Sequence, residues 1–139
     1  MPHVSITRLR IRSYRFMPSF AVLTWMTTRQ ARRADGFLAG SLLPDRARTF
    51  WTMTLWRNSA NMKRFITDGA HRKAMPKLLD WCDEASIVHW NQVESVLPDW
   101  VEADRRMRAQ GRPSKVRHPS AAHRNLSYAE PRMSRAASI

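Results

Sequence analysis

The run Phe50-Trp51-Thr52-Met53-Thr54-Leu55-Trp56 constrains the fold most, because the hydrophobic period changes directly after it. Trp51, Met53 and Leu55 alternate with Thr52, Thr54 and Trp56, the period of two that marks a half-buried strand. Ala60, Met62, Phe65 and Ile66 then follow at helical spacing, with Ser59 as N-cap and Asp68-Gly69 as stop. A strand feeding a helix predicts an α+β domain.

The same reading extends in both directions. Val4 to Ser13 alternates, with Thr7, Leu9 and Ile11 on one face and Arg8, Arg10 and Arg12 on the other, and predicts the first strand. Pro18 suits the first turn of a helix from about Met17 to Ala34, whose apolar stripe runs through Phe20, Leu23 and Ala31 before Arg32-Arg33 and Gly36 end it. Phe37 to Leu43 and Thr49 to Arg57 predict the second and third strands. His71 to Cys82 predicts two short helical pieces divided at Pro76, and Ala85 to Asn91 the fourth strand. The order β-α-β-β-α-β is the ferredoxin-like unit, a four-stranded antiparallel sheet with helices on one face. Asp99 then caps an amphipathic helix to about Gln110, and Arg112 to Ile139 lacks periodicity and reads as extended or disordered. The expected division is an α+β domain over 1–95, a C-terminal helix over 96–111 and a basic tail over 112–139.

With 139 residues, 43% of them apolar, the chain can build one core. It has no apolar run long enough to span a membrane, and Arg8, Arg10, Arg12 and Arg15 interrupt any secretory signal, so a cytoplasmic protein is expected. The lone Cys82, beside Trp81, is expected to be a buried, inert thiol. Four glycines leave no phosphate-cradling loop. The formal charge of +13 is uneven: net +5 from Met1 to Asp104, and net +8 from Arg105 to Ile139. A tail of that charge can engage nucleic acid or an acidic partner.

Trp51 to Trp56, the helix through Met62 and Phe65, and Gly69-Ala70-His71-Arg72-Lys73-Ala74-Met75 together resemble the antibiotic biosynthesis monooxygenase-like superfamily of dimeric α/β barrels. The nearest likeness is to its spheroidene monooxygenase-like and uncharacterised members, over about Val4 to Gln92. The resemblance implies a homodimer with two four-stranded sheets packed face to face, and a ligand cavity between each sheet and its own helices. Activities among such relatives include cofactor-free oxidation of aromatic substrates, haem-dependent oxidation and haem degradation. Haem is therefore a cofactor the resemblance allows. The haem-degrading branch carries its ligating histidine one helical turn after the position of His71, where this chain has Met75.

Parity supplies the candidate site. Leu9, Ile11, Trp51, Met53, Leu55, Val88 and Trp90 are expected to face the helices, and Arg8, Arg10 and Arg12 to share the other side with Thr52, Thr54 and Trp56. An apolar cavity lined by Trp51, Met53, Phe65 and Trp90 would then have His71 at its mouth, as general base or iron ligand. Trp56, Met75 and His89 complete the ligand-binding candidates. Three alternating arginines need partner carboxylates, with Asp80, Asp83 and Glu84 as candidates, trapped water, or an anionic ligand, which Arg10 would touch first. The functional expectation is a monooxygenase-like protein binding a small apolar or aromatic ligand. The alternative is a non-enzymatic dimeric module whose basic tail engages nucleic acid or an acidic partner.

Overall fold

The computed structural model describes residues 1–139. Ten elements matter for the site, in the order β1 (His3–Ile11), α1 (Met17–Arg33), β2 (Phe37–Asp45), β3 (Thr49–Trp56), α2 (Ser59–Ile66), α3 (Gly69–Trp81), β4 (Cys82–Asn91) and α4 (Trp100–Gln110), with two-residue strands β5 (Arg112–Pro113) and β6 (Ala137–Ser138) from the C-terminal arm. All pairings are antiparallel, and the strand order is β5-β4-β1-β3-β2-β6. No helix is long and apolar enough to cross a membrane.

Two expectations need correction. The sheet has six strands and not four, because the arm adds β5 to the β4 edge and β6 to the β2 edge. It is also open, with no closed dimeric barrel. The physical reason lies in what covers the face that a twin was expected to cover: α4 and the arm lie on it. Val4, Ile6, Trp51, Met53, Leu55, Val88 and Trp90 form one buried cluster with Trp100, Ala103 and Met107 of α4 and Tyr128 of the arm.

The parity expectation is overturned with it. Arg8 pairs directly with Trp51, and Ile6 with Met53, so the arginines and the tryptophan strand share a face. That face looks away from α1–α3. Alternation along a strand shows that its two sides differ but not which side meets the helices, and the more apolar side of β3 packs under α4 and Tyr128. The helices instead cover Leu9, Ile11, Phe50 and Ala85, packed on Phe20, Leu78 and Trp81, and Trp56, packed on Ala31, Met62 and Phe65.

Local signals explain the joints. Asn58, one residue before the expected cap, accepts the Asn61 N–H at 2.9 Å to start α2, and Asp99 accepts the Glu102 N–H at 2.8 Å to start α4. Gly36 turns α1 into β2 at φ +86°, where a side chain would collide with Asn61. α3 runs unbroken through Pro76, which is exposed, so the carbonyl left unpaired at Arg72 faces water.

Candidate functional site

α1 stands off the sheet. Of its 17 residues only Phe20 and Ala31 are buried, and the stripe between them that should meet the sheet carries Thr24 and Thr28 where a packed core would place leucine. Beneath it, Leu42, Phe50 and Thr52 on the helix-facing side of β2 and β3 stay only half-buried. The gap is a cavity of about 760 Å³, within the range of small-molecule sites. Met17, Phe20, Leu42, Pro44 and Phe50 make its apolar walls, and Thr24, Thr28 and Thr52 contribute hydroxyls. Trp25, Arg29, Arg32 and Arg33 also line it, with the Arg29 guanidinium 5.4 Å from the centre of the Trp25 ring. The lining contains no carboxylate, histidine or cysteine. It can therefore bind an apolar body and hold negative charge, but none of its side chains takes up a proton near neutral pH.

The residues singled out from the sequence are distributed over several environments. Trp51, Met53 and Trp90 lie together in the cluster beneath α4 and the arm, with the Trp51 ring edge-on to Trp100 and Tyr128 at 6.1 and 5.5 Å. Trp51 touches the cavity only from its strand, since its indole is on the opposite face of the sheet. Trp56 and Phe65 stack 5.0 Å apart against α1 and α2, and the Trp56 indole N–H donates to Thr54 Oγ1 at 2.9 Å. His71 sits in the first turn of α3 beside Phe65. Its Nδ1 is 3.2 Å from the Ile66 carbonyl, and its backbone N–H donates to Gln30 Oε1 at 2.9 Å. Burial lowers its pKa, opposed by the Ile66 bond, and favours the neutral ring. Met75 is exposed on α3, and His89, exposed at the end of β4, has its ring 5.3 Å from that of His3. Burial, then His3, lowers the His89 pKa. Burial, then Asp83, pushes the Cys82 thiol up to about 12.

Arg10 belongs to an ionic row on the arm side. The three arginines of β1 and its extension meet three carboxylates within the chain: Arg8 with Glu84 at 2.6 Å, Arg10 with Asp83 at 2.8 Å and Glu84 at 3.0 Å, and Arg12 with Asp80 at 3.5 Å. Ser120 of the arm donates to the second Glu84 oxygen at 2.8 Å, and the Tyr128 ring lies 4.1 Å from the Arg8 guanidinium. The cost of burying this row shows in Arg8 Nε, Trp51 Nε1 and Ser86 Oγ, which have no partner.

Haem does not fit these residues. His71 is turned toward the Ile66 carbonyl and lines no part of the cavity, Met75 points to solvent, and Met17 is the lining's single soft ligand atom.

The lining residues that sequence reasoning missed are Phe20, Thr24, Thr28, Phe50 and Thr52, with Trp25 and Arg29 beside them. A signal was present: threonines spaced four apart on the inner stripe of an otherwise amphipathic helix mark a face that does not pack.

No protein-family model and no curated protein matches the sequence. Solved structures do match, and the fold is that of the antibiotic biosynthesis monooxygenase-like structures. A Nitrosomonas europaea protein whose name assigns it to the antibiotic biosynthesis monooxygenases is 14% identical, with 69% of this chain and 94% of that one covered at a TM-score of 0.60. SnoaB, a cofactor-independent oxygenase from Streptomyces nogalater, is 14% identical over 70% of this chain and 98% of its own, with a TM-score of 0.56. Rv0793 from Mycobacterium tuberculosis is 13% identical over 70% and 100%, at 0.60.

Proposed function

We propose that the chain is a monooxygenase-like protein whose cavity between α1 and β2–β3 takes a small aromatic ligand in anionic form. The observation that carries this reading is the lining itself, an apolar chamber whose charged side chains are all arginines. Guanidinium groups beside a phenol or enol stabilise its ionised form, which places carbanion character on a carbon while the proton leaves to water without a protein base; a carboxylate is held by the same groups but is not activated this way. An electron-rich carbanion can pass an electron to dioxygen and combine with it as a peroxide at carbon. Loss of water then leaves a carbonyl, with one oxygen atom in the product and the other in water. SnoaB, of the same fold, is a cofactor-independent oxygenase, which supports assigning such chemistry.

A homodimer, which the resemblance implies, would have to form by exchanging the arm or on another surface, because the sheet face is already covered. The alternative reading, nucleic-acid binding through the arm, has in its favour that Arg112, Lys115, Arg117, Arg124 and Arg135 have no carboxylate partner. Against it, Tyr128, the arm's one aromatic side chain, is buried and cannot stack on bases.

Titration calorimetry with naphthoate and the uncharged naphthalenemethanol tests the proposal. Naphthoate should bind about tenfold more tightly, the worth of a charge-assisted contact, and Arg29→Gln with Arg32→Gln should abolish the difference. His71→Gln, outside the cavity, should leave both affinities unchanged. Equal affinities in the unaltered protein, or no naphthoate binding, would refute the reading.

A further inference from the structure

The outer surface of the helix layer carries an apolar stripe and a groove separate from the cavity, with Trp25, Arg29, Arg32 and Arg33 on the edge that the two share. Val22, Trp25 and Met26 of α1 are 58%, 62% and 41% exposed, and their spacing of three and four places them on one stripe. Beside this stripe a groove of about 360 Å³ runs between α1 and α3, with Val22, Leu23 and Met26 on one wall and Lys73 and Lys77 on the other. The surrounding charge has one sign. α1 carries Arg29, Arg32 and Arg33 and no acid; α3 carries Arg72, Lys73 and Lys77, and its single acid, Asp80, is engaged by Arg12 at 3.5 Å.

Large apolar side chains that point into water cost free energy unless something covers them, and the choice of cover follows from the charge. A second copy presenting this same face would bring like charges together. Nucleic acid would satisfy the cations but give Val22 and Met26 nothing to bury against. An anionic bilayer surface satisfies both sets, since lysine and arginine meet lipid phosphates while tryptophan and aliphatic side chains settle at the headgroup boundary. We infer that the outer face of α1 and α3 docks on anionic lipid membranes. The docking is adsorption to one leaflet surface, and it holds whether or not the cavity takes a substrate.

The test uses the full chain with vesicles of phosphatidylcholine, alone or mixed with phosphatidylglycerol. Trp25 on the exposed stripe and the half-buried Trp81 in the groove are built-in reporters, because Trp51, Trp56, Trp90 and Trp100 are all 9% exposed or less. Mixed vesicles should sediment the protein and shift its tryptophan emission to the blue; pure phosphatidylcholine should do neither. Trp25→Phe should reduce the shift, and Trp25→Phe with Trp81→Phe should remove most of it, while sedimentation persists. Lys73→Gln with Lys77→Gln should weaken sedimentation about tenfold or more, as should Val22→Ser with Met26→Ser, with far-ultraviolet circular dichroism unchanged. Absence of sedimentation, equal sedimentation with pure phosphatidylcholine, or indifference to both double substitutions would overturn the inference. The last result would move the attraction to the basic arm. A DNA duplex that displaces the vesicles from this face would overturn it in favour of nucleic acid.

Discussion

Glu84→Gln should destabilise the protein by about 3–5 kcal/mol, read as a fall in the urea midpoint at constant slope. Glu84 is 3% exposed and Arg8 is 6% exposed, so removing the carboxylate charge strands a guanidinium that has little access to water. Glu84 also serves Arg10 at 3.0 Å and receives the Ser120 hydroxyl at 2.8 Å, so β1, β4 and the arm lose a common partner. A loss of this size is a large share of the stability of a single domain. Arg8→Met combined with Glu84→Gln should recover much of it, since the stranded charge is then gone. A Glu84→Gln protein as stable as the original would mean that the row is hydrated and that the arm does not seal this face.

Tyr128→Ala should cost about 3 kcal/mol or more and release the arm. The phenol ring lies 4.1 Å from the guanidinium groups of both Arg8 and Arg108 and edge-on to Trp51 at 5.5 Å. Its hydroxyl donates to Asp104 at 2.7 Å, and burial first, then that bond, raises its pKa and keeps it protonated. Emission from the uncovered Trp51 should move to the red, and the arm should become open to proteolysis between Arg112 and Ile139. Tyr128→Phe keeps the ring and should lose only about 1 kcal/mol, with the arm in place. If alanine behaves like phenylalanine, the ring does not anchor the arm.

The long elements were legible in the sequence because their periods are long enough to average. β1 and β3 alternate over eight or nine residues, α1 follows the first-turn signal of Pro18, and α4 carries an apolar stripe behind the Asp99 cap. What could not be read was how those stripes face one another. Each strand's two sides are visible locally, but nothing local says whether Arg8 or Leu9 shares a side with Trp51. The more apolar side of β3 suggested the helix layer, whereas that side belongs under α4 and Tyr128. β5 and β6 are two residues long and carry no period at all. The arm holds a single buried aromatic among polar residues, too weak a signal to reveal a cover for a sheet face. The candidate site followed the parity: Trp51, Met53 and Trp90 are packed in a core, while the open chamber on the other side is lined by threonines and arginines that an apolar pattern does not highlight.

Hydrogen–deuterium exchange with and without saturating naphthoate tests the two-sided arrangement most directly. Ligand should slow exchange in 17–33 of α1 and in 42–52 of β2 and β3, and leave α4 and 112–139 unchanged. Slowing confined to α4 and the arm would place the ligand against Trp51 and Arg8 instead, and would contradict the assignment of the open chamber to the helix side of the sheet.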